Sequence, residues 1–252
     1  MAGRDHNTQA QGGPAGIAYG VYARLVRWAF ARFYRELAWT YDTVAAIVSG
    51  GQWPQWSLAA LPFLRGRVLE LGCGTGHLQL ALASRPQHAA VGLDVSRQML
   101  GLTRGRLARA GLAAPLVRAS AGAVPLPTAA FDTVAATFPS EYIVAPAAVA
   151  EVARVLRPGG RLVVVLSAQL RGGGLYHRAL DLLYRAALQR PVLAHDPPPA
   201  PTSLVGQRYA QAGFAVRELW HPAGGASLHI ILAERPGAPQ AHTEEGNPWH
   251  PL

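Results

Sequence analysis

The chain has 252 residues, half of them hydrophobic, a formal net charge of +9 and a single cysteine, Cys73. That length suits one domain with appendages, that hydrophobic share excludes general disorder, and a lone thiol excludes an intrachain disulfide or a cysteine-based zinc cluster. All 23 basic residues are arginine, which removes lysine Schiff bases and the phosphate-binding lysine of nucleotide loops; the charge alone points only weakly to an anionic partner.

Residues 1–16 are polar and glycine-rich and read as a flexible tail, without the apolar core of a signal peptide. No stretch reaches the ~18 uninterrupted apolar residues of a membrane span, so a soluble cytoplasmic protein is the expectation. Residues 17–39 have helical periodicity, with Tyr19, Tyr22, Val26, Phe30, Phe33 and Leu37 on one face and Arg24, Arg27, Arg32 and Arg35 opposite. Such a helix either packs its aromatic face on the domain or lies on an anionic membrane as a peripheral contact. Residues 17–60 as a whole read as a helical cap.

The centre of the chain is Val68-Leu69-Glu70-Leu71-Gly72-Cys73-Gly74-Thr75-Gly76-His77: a buried-strand run, three glycines at alternate positions, then a helical pattern. Glycine is needed where backbone turns sharply or approaches a ligand without a Cβ in the way, and a strand–turn–helix unit aims backbone N–H groups at that ligand. The spacing G-x-G-x-G differs from the dinucleotide fingerprint G-x-G-x-x-G. Asp94 closes the next apolar run, where an acidic group meets ribose hydroxyls in α/β folds, and Ser96 is placed to cap the following helix.

Strand three is expected at 115–119 and strand four at 131–137, the latter delivering Phe138-Pro139-Ser140-Glu141-Tyr142 to the carboxyl edge of the sheet. Glu141 and Tyr142 carry the only acid–base or hydrogen-bonding chemistry there; plain surface-loop roles fit them equally. A helix over 145–156 ends at the turn signal Pro158-Gly159-Gly160, and strand five follows at 161–166. Residues 170–202 read as an inserted lid closed by a proline run; its His177 could be a general base or simply a solvated helix residue. A helix over 203–212 precedes two closing strands, 214–220 and 227–233. Residues 236–252 form a second tail.

Four segments in register, VLELGCGTG, VGLDVS, FDTVAATFP and VARVLRPGGRLVVV, resemble the motifs of class I S-adenosylmethionine-dependent methyltransferases, with the small quinone- and sterol-type enzymes the nearest flavour. The resemblance covers about residues 61–236. It implies a three-layer α/β, Rossmann-like fold with a seven-stranded, mostly parallel sheet and an antiparallel C-terminal hairpin, the domain proper occupying 61–235. It implies S-adenosyl-L-methionine as cofactor, held by Glu70, Gly72, Cys73, Gly74 and Gly76. By the same resemblance Asp94 takes the ribose hydroxyls, Val95 and Met99 pack on adenine, and Ser120, Ala121 and Phe138 neighbour the cofactor. Tyr41 approaches the methionine moiety from the cap.

The chain departs from the family at Ser120, where many relatives carry an acid that accepts from the adenine amino group; a hydroxyl accepts without charge assistance. The absent lysine rules out the Lys-Asp-Lys-Glu tetrad of ribose methyltransferases, and the absent Asn/Asp-Pro-Pro-Tyr signature speaks against adenine and glutamine acceptors. No metal is expected. The function implied is methyl transfer to a small molecule, apolar or aromatic. Two alternatives stand beside it: a non-catalytic cofactor-binding or interaction protein on the same fold, and a nucleic-acid methyltransferase, against which the missing RNA-binding module counts.

Overall fold

The computed structural model describes residues 49–85, 87–170 and 203–237. Tyr41, His177, the segment 17–39, the tail 1–16, residues 171–202 of the insertion and residues 238–252 of the second tail lie outside these residues. Helix α1 (Trp53–Leu58) and a 3-10 turn (Leu61–Phe63) lead into β1 (Arg67–Leu71), α2 (His77–Ala83), β2 (Ala89–Asp94), α3 (Arg97–Arg109) and β3 (Leu116–Arg118). Then come β4 (Phe131–Thr137), a 3-10 turn (Glu141–Val144), α4 (Pro146–Val155) and β5 (Leu156–Leu170). The series closes with α5 (Leu204–Gln211), β6 (Ala215–Ala223) and β7 (Ala226–Glu234).

The seven strands form one sheet in the order β3-β2-β1-β4-β5-β7-β6. Strands β1 to β5 are parallel to their neighbours, while β7 runs antiparallel between β5 and β6. The central strands are apolar on both faces, as a sheet covered on two sides requires: Val68, Leu69, Leu71, Val134, Ala135, Val163 and Val164 are fully buried. One face packs Leu69, Leu71, Val134 and Ile231 beneath α4 and α5; the other packs Val68, Ala135, Val163 and Ile230 beneath α1 and α2. The chain order reverses between β1 and β4, so the crevice at their carboxyl ends is the switch point where α/β sheets bind ligands.

Strand five differs from expectation. Pro158-Gly159-Gly160 lies within it as a bulge rather than before it: Phe131 pairs with Leu156 and Thr133 with Arg161, so three extra residues loop out, with Gly159 at φ +74°. Beyond Val165, opposite the last residue of β4, the strand runs on to Leu170, and the hairpin lengthens with it to a Gly224-Gly225 turn. The expected ends at 166, 220 and 227 are short because antiparallel pairing, which local sequence does not display, carries all three strands further.

Candidate active site

All three glycines of the loop after β1 have positive φ: +68° at Gly72, +53° at Gly74 and +83° at Gly76, a region that favours glycine. Their surroundings differ. A Cβ on Gly72 would stand 2.7 Å from the Tyr142 hydroxyl, and one on Gly76 2.6 Å from Thr103 Cγ2. A Cβ on Gly74 would meet nothing nearer than 3.9 Å, so Gly74 borders open space. The loop is braced from α3, where the Thr103 hydroxyl donates to Gly74 O at 2.8 Å and Arg106 Nη1 to Thr75 O at 2.6 Å. Cys73 N–H donates to Leu93 O at 3.0 Å. The Cys73 thiol is buried, and that burial, with Glu70 and Asp94 nearby, raises its pKa, while a hydrogen bond with Thr103 lowers it.

Asp94 ends β2 against this loop. Its Oδ2 accepts from Gly74 N–H at 2.9 Å and its Oδ1 from Ser96 N–H at 2.8 Å. Burial raises its pKa, while the backbone donors Ser96, Gly74 and Val95 pull it back. A carboxylate offers about four lone-pair sites, so these backbone donors leave acceptor capacity for a ligand hydroxyl. Ser96 caps α3 as expected, accepting from Met99 N–H at 3.3 Å. Val95 is 69% exposed, a large apolar side chain on the crevice rim, whereas Met99 is in the core at 4%. Beyond β3, Ser120 is exposed and its hydroxyl accepts from Gly122 N–H at 3.2 Å, with Ala121 buried beside it. Arg154 holds the next stretch, donating to Val124 O and Leu126 O while paired with Glu151.

The end of β4 supplies the other wall. Phe138 has φ +49°, a strained value for a residue with a side chain, and its N–H donates to Val165 O at 2.7 Å. Its ring lies 4.7 Å from that of Trp53 and 6.4 Å from that of Trp56. Glu141 is exposed. Tyr142 folds back over the loop and donates to Leu71 O at 3.0 Å. Burial, then the charges of Asp94 and Glu70, push its phenol pKa up. Tyr142 is therefore a fixed donor that leaves room only for glycine at position 72, and is unsuited to be a base.

Glu70 is 1% exposed and lies beneath the loop, accepting from Gln79 Nε2 at 2.8 Å. Burial raises its carboxyl from 4.5 to about 8, with Asp94 adding to the shift and the Gln79 bond opposing it. Gly92, its partner on β2, makes room for this bond, since a Cβ there would stand 3.0 Å from Gln79 Cδ. Of the expected set the structure thus gathers Gly72, Cys73, Gly74, Gly76, Glu70, Asp94 and Tyr142 around one loop, with Val95, Ser120 and Phe138 on its rim. Sequence reading missed Thr103, Arg106 and Gln79. Thr103 and Gln79 left a signal, as polar residues on otherwise apolar helix faces.

S-adenosylmethionine carries a sulfonium, an ammonium and a ribose diol, and the site fits it. The Asp94 carboxylate, with the buried Glu70 carboxyl beneath it, stands beside a backbone cradle that a Cβ on Gly74 would enter. Among the described residues no cluster of three or more metal-ligating side chains occurs, and no helix is long and apolar enough to cross a membrane.

Comparison with known proteins agrees. Residues 68–160 match the family described as "Methyltransferase domain". The chain is 32% identical over 221 residues to the demethylmenaquinone methyltransferase of Thermus thermophilus, covering 78% of this chain and 98% of that one. It is 33% identical over 141 residues to the ubiquinone/menaquinone biosynthesis C-methyltransferase of Geobacter sulfurreducens, covering 52% of this chain and 55% of that one. Phosphoethanolamine N-methyltransferase 2 of Haemonchus contortus, solved with S-adenosyl-L-methionine, superposes with a TM-score of 0.55 at 15% identity over 81% of this chain and 59% of that one; this speaks to the fold alone. The chain belongs to the class I S-adenosylmethionine-dependent methyltransferases. S-adenosylmethionine is its methyl donor and a small molecule its acceptor.

Proposed function

We propose that this enzyme methylates a ring carbon of a quinol bearing an apolar tail, of the demethylmenaquinol type. The observation that carries this reading is the match to the Thermus enzyme along almost its whole length. The site supports it through Phe138 and Trp53, half-buried rings 4.7 Å apart that pack over the core residue Trp56 at the end of β4; flat rings stack on such surfaces. On this reading Asp94 holds the ribose, Val95, Ser120 and Ala121 flank adenine, and Gly74 faces the methionine moiety. The donor brings its own activation in the positive sulfur, so the protein's task is to align the partners and exclude water. Because such an acceptor resides in a bilayer, peripheral membrane contact by residues 17–39 at the cytoplasmic face belongs to the same proposal.

The test is methyl transfer from labelled S-adenosylmethionine to a short-chain demethylmenaquinol, with the product's ring position read by mass spectrometry. Labelled ring methyl supports the reading. Absence of transfer to the quinol by protein that binds S-adenosylhomocysteine would refute it.

A further inference from the structure

Glu70 closes β1 just ahead of the glycine loop, two residues before Gly72, and its side chain is enclosed. Its hydrogen-bond partner is an amide, Gln79 Nε2 at 2.8 Å. No arginine or histidine pairs with it among the described residues. A carboxylate buried without a counter-charge is costly. Gln79 supplies a second, independent observation. It is fully buried, yet its amide oxygen has no donor among the described residues. An ionised carboxyl only accepts and leaves that oxygen unpaired, whereas a neutral one has an O–H to give it. The oxygen belongs to the same planar group as the Nε2 that already meets Glu70, so acid and amide can pair through both of their atoms. One proton on Glu70 relieves the buried charge and the unpaired oxygen together.

The groups facing Glu70 come from each neighbouring element. Asp94, at the end of β2, opposes its ionisation, and Gln79 meets it from α2. Cys73 in the loop and Tyr142 beyond β4 sense its charge, but burial raises the pKa of both and keeps them neutral. A ligand adds no further desolvation to a side chain already enclosed; what it changes is the charge nearby. Asp94 acts on Glu70 and also holds the Gly74 amide at 2.9 Å, so the cradle lies within electrostatic reach. S-adenosylmethionine and S-adenosylhomocysteine differ by one methyl group and one positive charge. A positive charge favours an ionised carboxyl. At about 10 Å and an effective dielectric of about 20, it changes the ionisation equilibrium about tenfold.

We propose that Glu70 senses the charge of the cofactor: a neutral acid by itself, it gives its proton to solvent when the sulfonium-bearing donor binds and takes one back beside the neutral-sulfur product. The site therefore favours donor over product, and Glu70 is a specificity-determining residue that acts by charge rather than by contact. The preference grows with pH, because a proton lost on binding is lost more readily when protons are scarce. It holds whatever the acceptor, so it stands apart from the quinol reading.

The test is calorimetric titration of the full chain and Glu70→Gln with S-adenosylmethionine and with S-adenosylhomocysteine. Titrations at pH 7 in buffers of different ionisation enthalpy count the protons released. Asp94 and the ligand amine titrate in both proteins and cancel in the comparison. With S-adenosylmethionine, wild type should release about half a proton more than the variant; with S-adenosylhomocysteine the two should nearly agree. Between pH 6 and 9 the affinity of wild type for the donor, relative to the variant, should rise about tenfold. Equal release by the two proteins with S-adenosylmethionine, or the same excess with both ligands, overturns the inference. If Glu70→Gln does not fold, infrared spectra of wild type with ¹³C-labelled glutamate carboxyls decide. A neutral-acid carbonyl band that S-adenosylmethionine diminishes and S-adenosylhomocysteine leaves supports the inference, and a band unmoved by S-adenosylmethionine overturns it.

Discussion

Glu70 makes a sharp test of how burial acts beneath the glycine loop. Its carboxyl is enclosed and titrates near 8 rather than 4.5. A group whose folded pKa is raised contributes stability that is fully present below its unfolded value and lost as pH climbs through the folded one. Here the window is pH 4.5 to about 8. A shift of about 3.5 units corresponds to about 4–5 kcal/mol. Glu70→Gln keeps the shape and a hydrogen bond for Gln79 but has no proton to lose. Urea unfolding of both proteins at intervals from pH 4.5 to 8.5 gives the difference directly. Wild type is expected to lose about 4–5 kcal/mol relative to the variant across that span, nearly all of it below pH 8. Asp94 also has a raised pKa, but it is present in both proteins and largely cancels. Parallel stability curves for the two proteins would refute the reasoning.

Asp94→Asn should weaken S-adenosylhomocysteine binding about 10–100-fold in calorimetry, since hydrogen bonds to a charged acceptor are worth about 1.5–3 kcal/mol; undiminished affinity would remove Asp94 from the site. Gly74→Ala should fold with a loss of only about 1 kcal/mol from its positive φ while binding the cofactor product much more weakly, because its Cβ enters open space. Gly72→Ala should be the more destabilised in thermal melts, because its Cβ meets the Tyr142 hydroxyl, and Tyr142→Phe should recover part of that loss. Cys73, buried and with its thiol pKa raised, should resist a thiol-specific disulfide reagent until the protein unfolds; rapid native labelling would contradict its placement.

Much of this was legible in the sequence because it is local. Alternate glycines, an acid closing β2 and a serine before α3 each act within a few residues of where they are read, and each stands where the pattern places it. What the sequence hid depends on distant partners. Tyr142 suggests chemistry by its residue type, but its hydroxyl is committed to Leu71 O, 71 positions away. Phe138 gives no local sign of its left-handed backbone, which follows from a bond to Val165 on the next strand. The His229–Glu218 pair joins two strands whose register only the folded hairpin defines.

The bracing of the glycine loop also bears on how the cofactor site works. Tyr142 presses on Gly72 from the β4 side, Thr103 and Arg106 hold Gly74 and Thr75 from α3, and Asp94 fixes the Gly74 amide from β2. The contacts come from three separate parts of the fold, so the positive-φ conformations are held by the folded core before any ligand arrives. A loop ordered in advance spares the ligand the entropy of ordering it. The Asp94 bond to Gly74 N–H joins the proposed ribose anchor to the cradle itself. Loss of the carboxylate therefore removes a ligand contact and a brace together, and Asp94→Asn should slow S-adenosylhomocysteine association as well as speed its release. In stopped-flow binding, a change confined to the dissociation rate would show that the loop keeps its shape without the carboxylate.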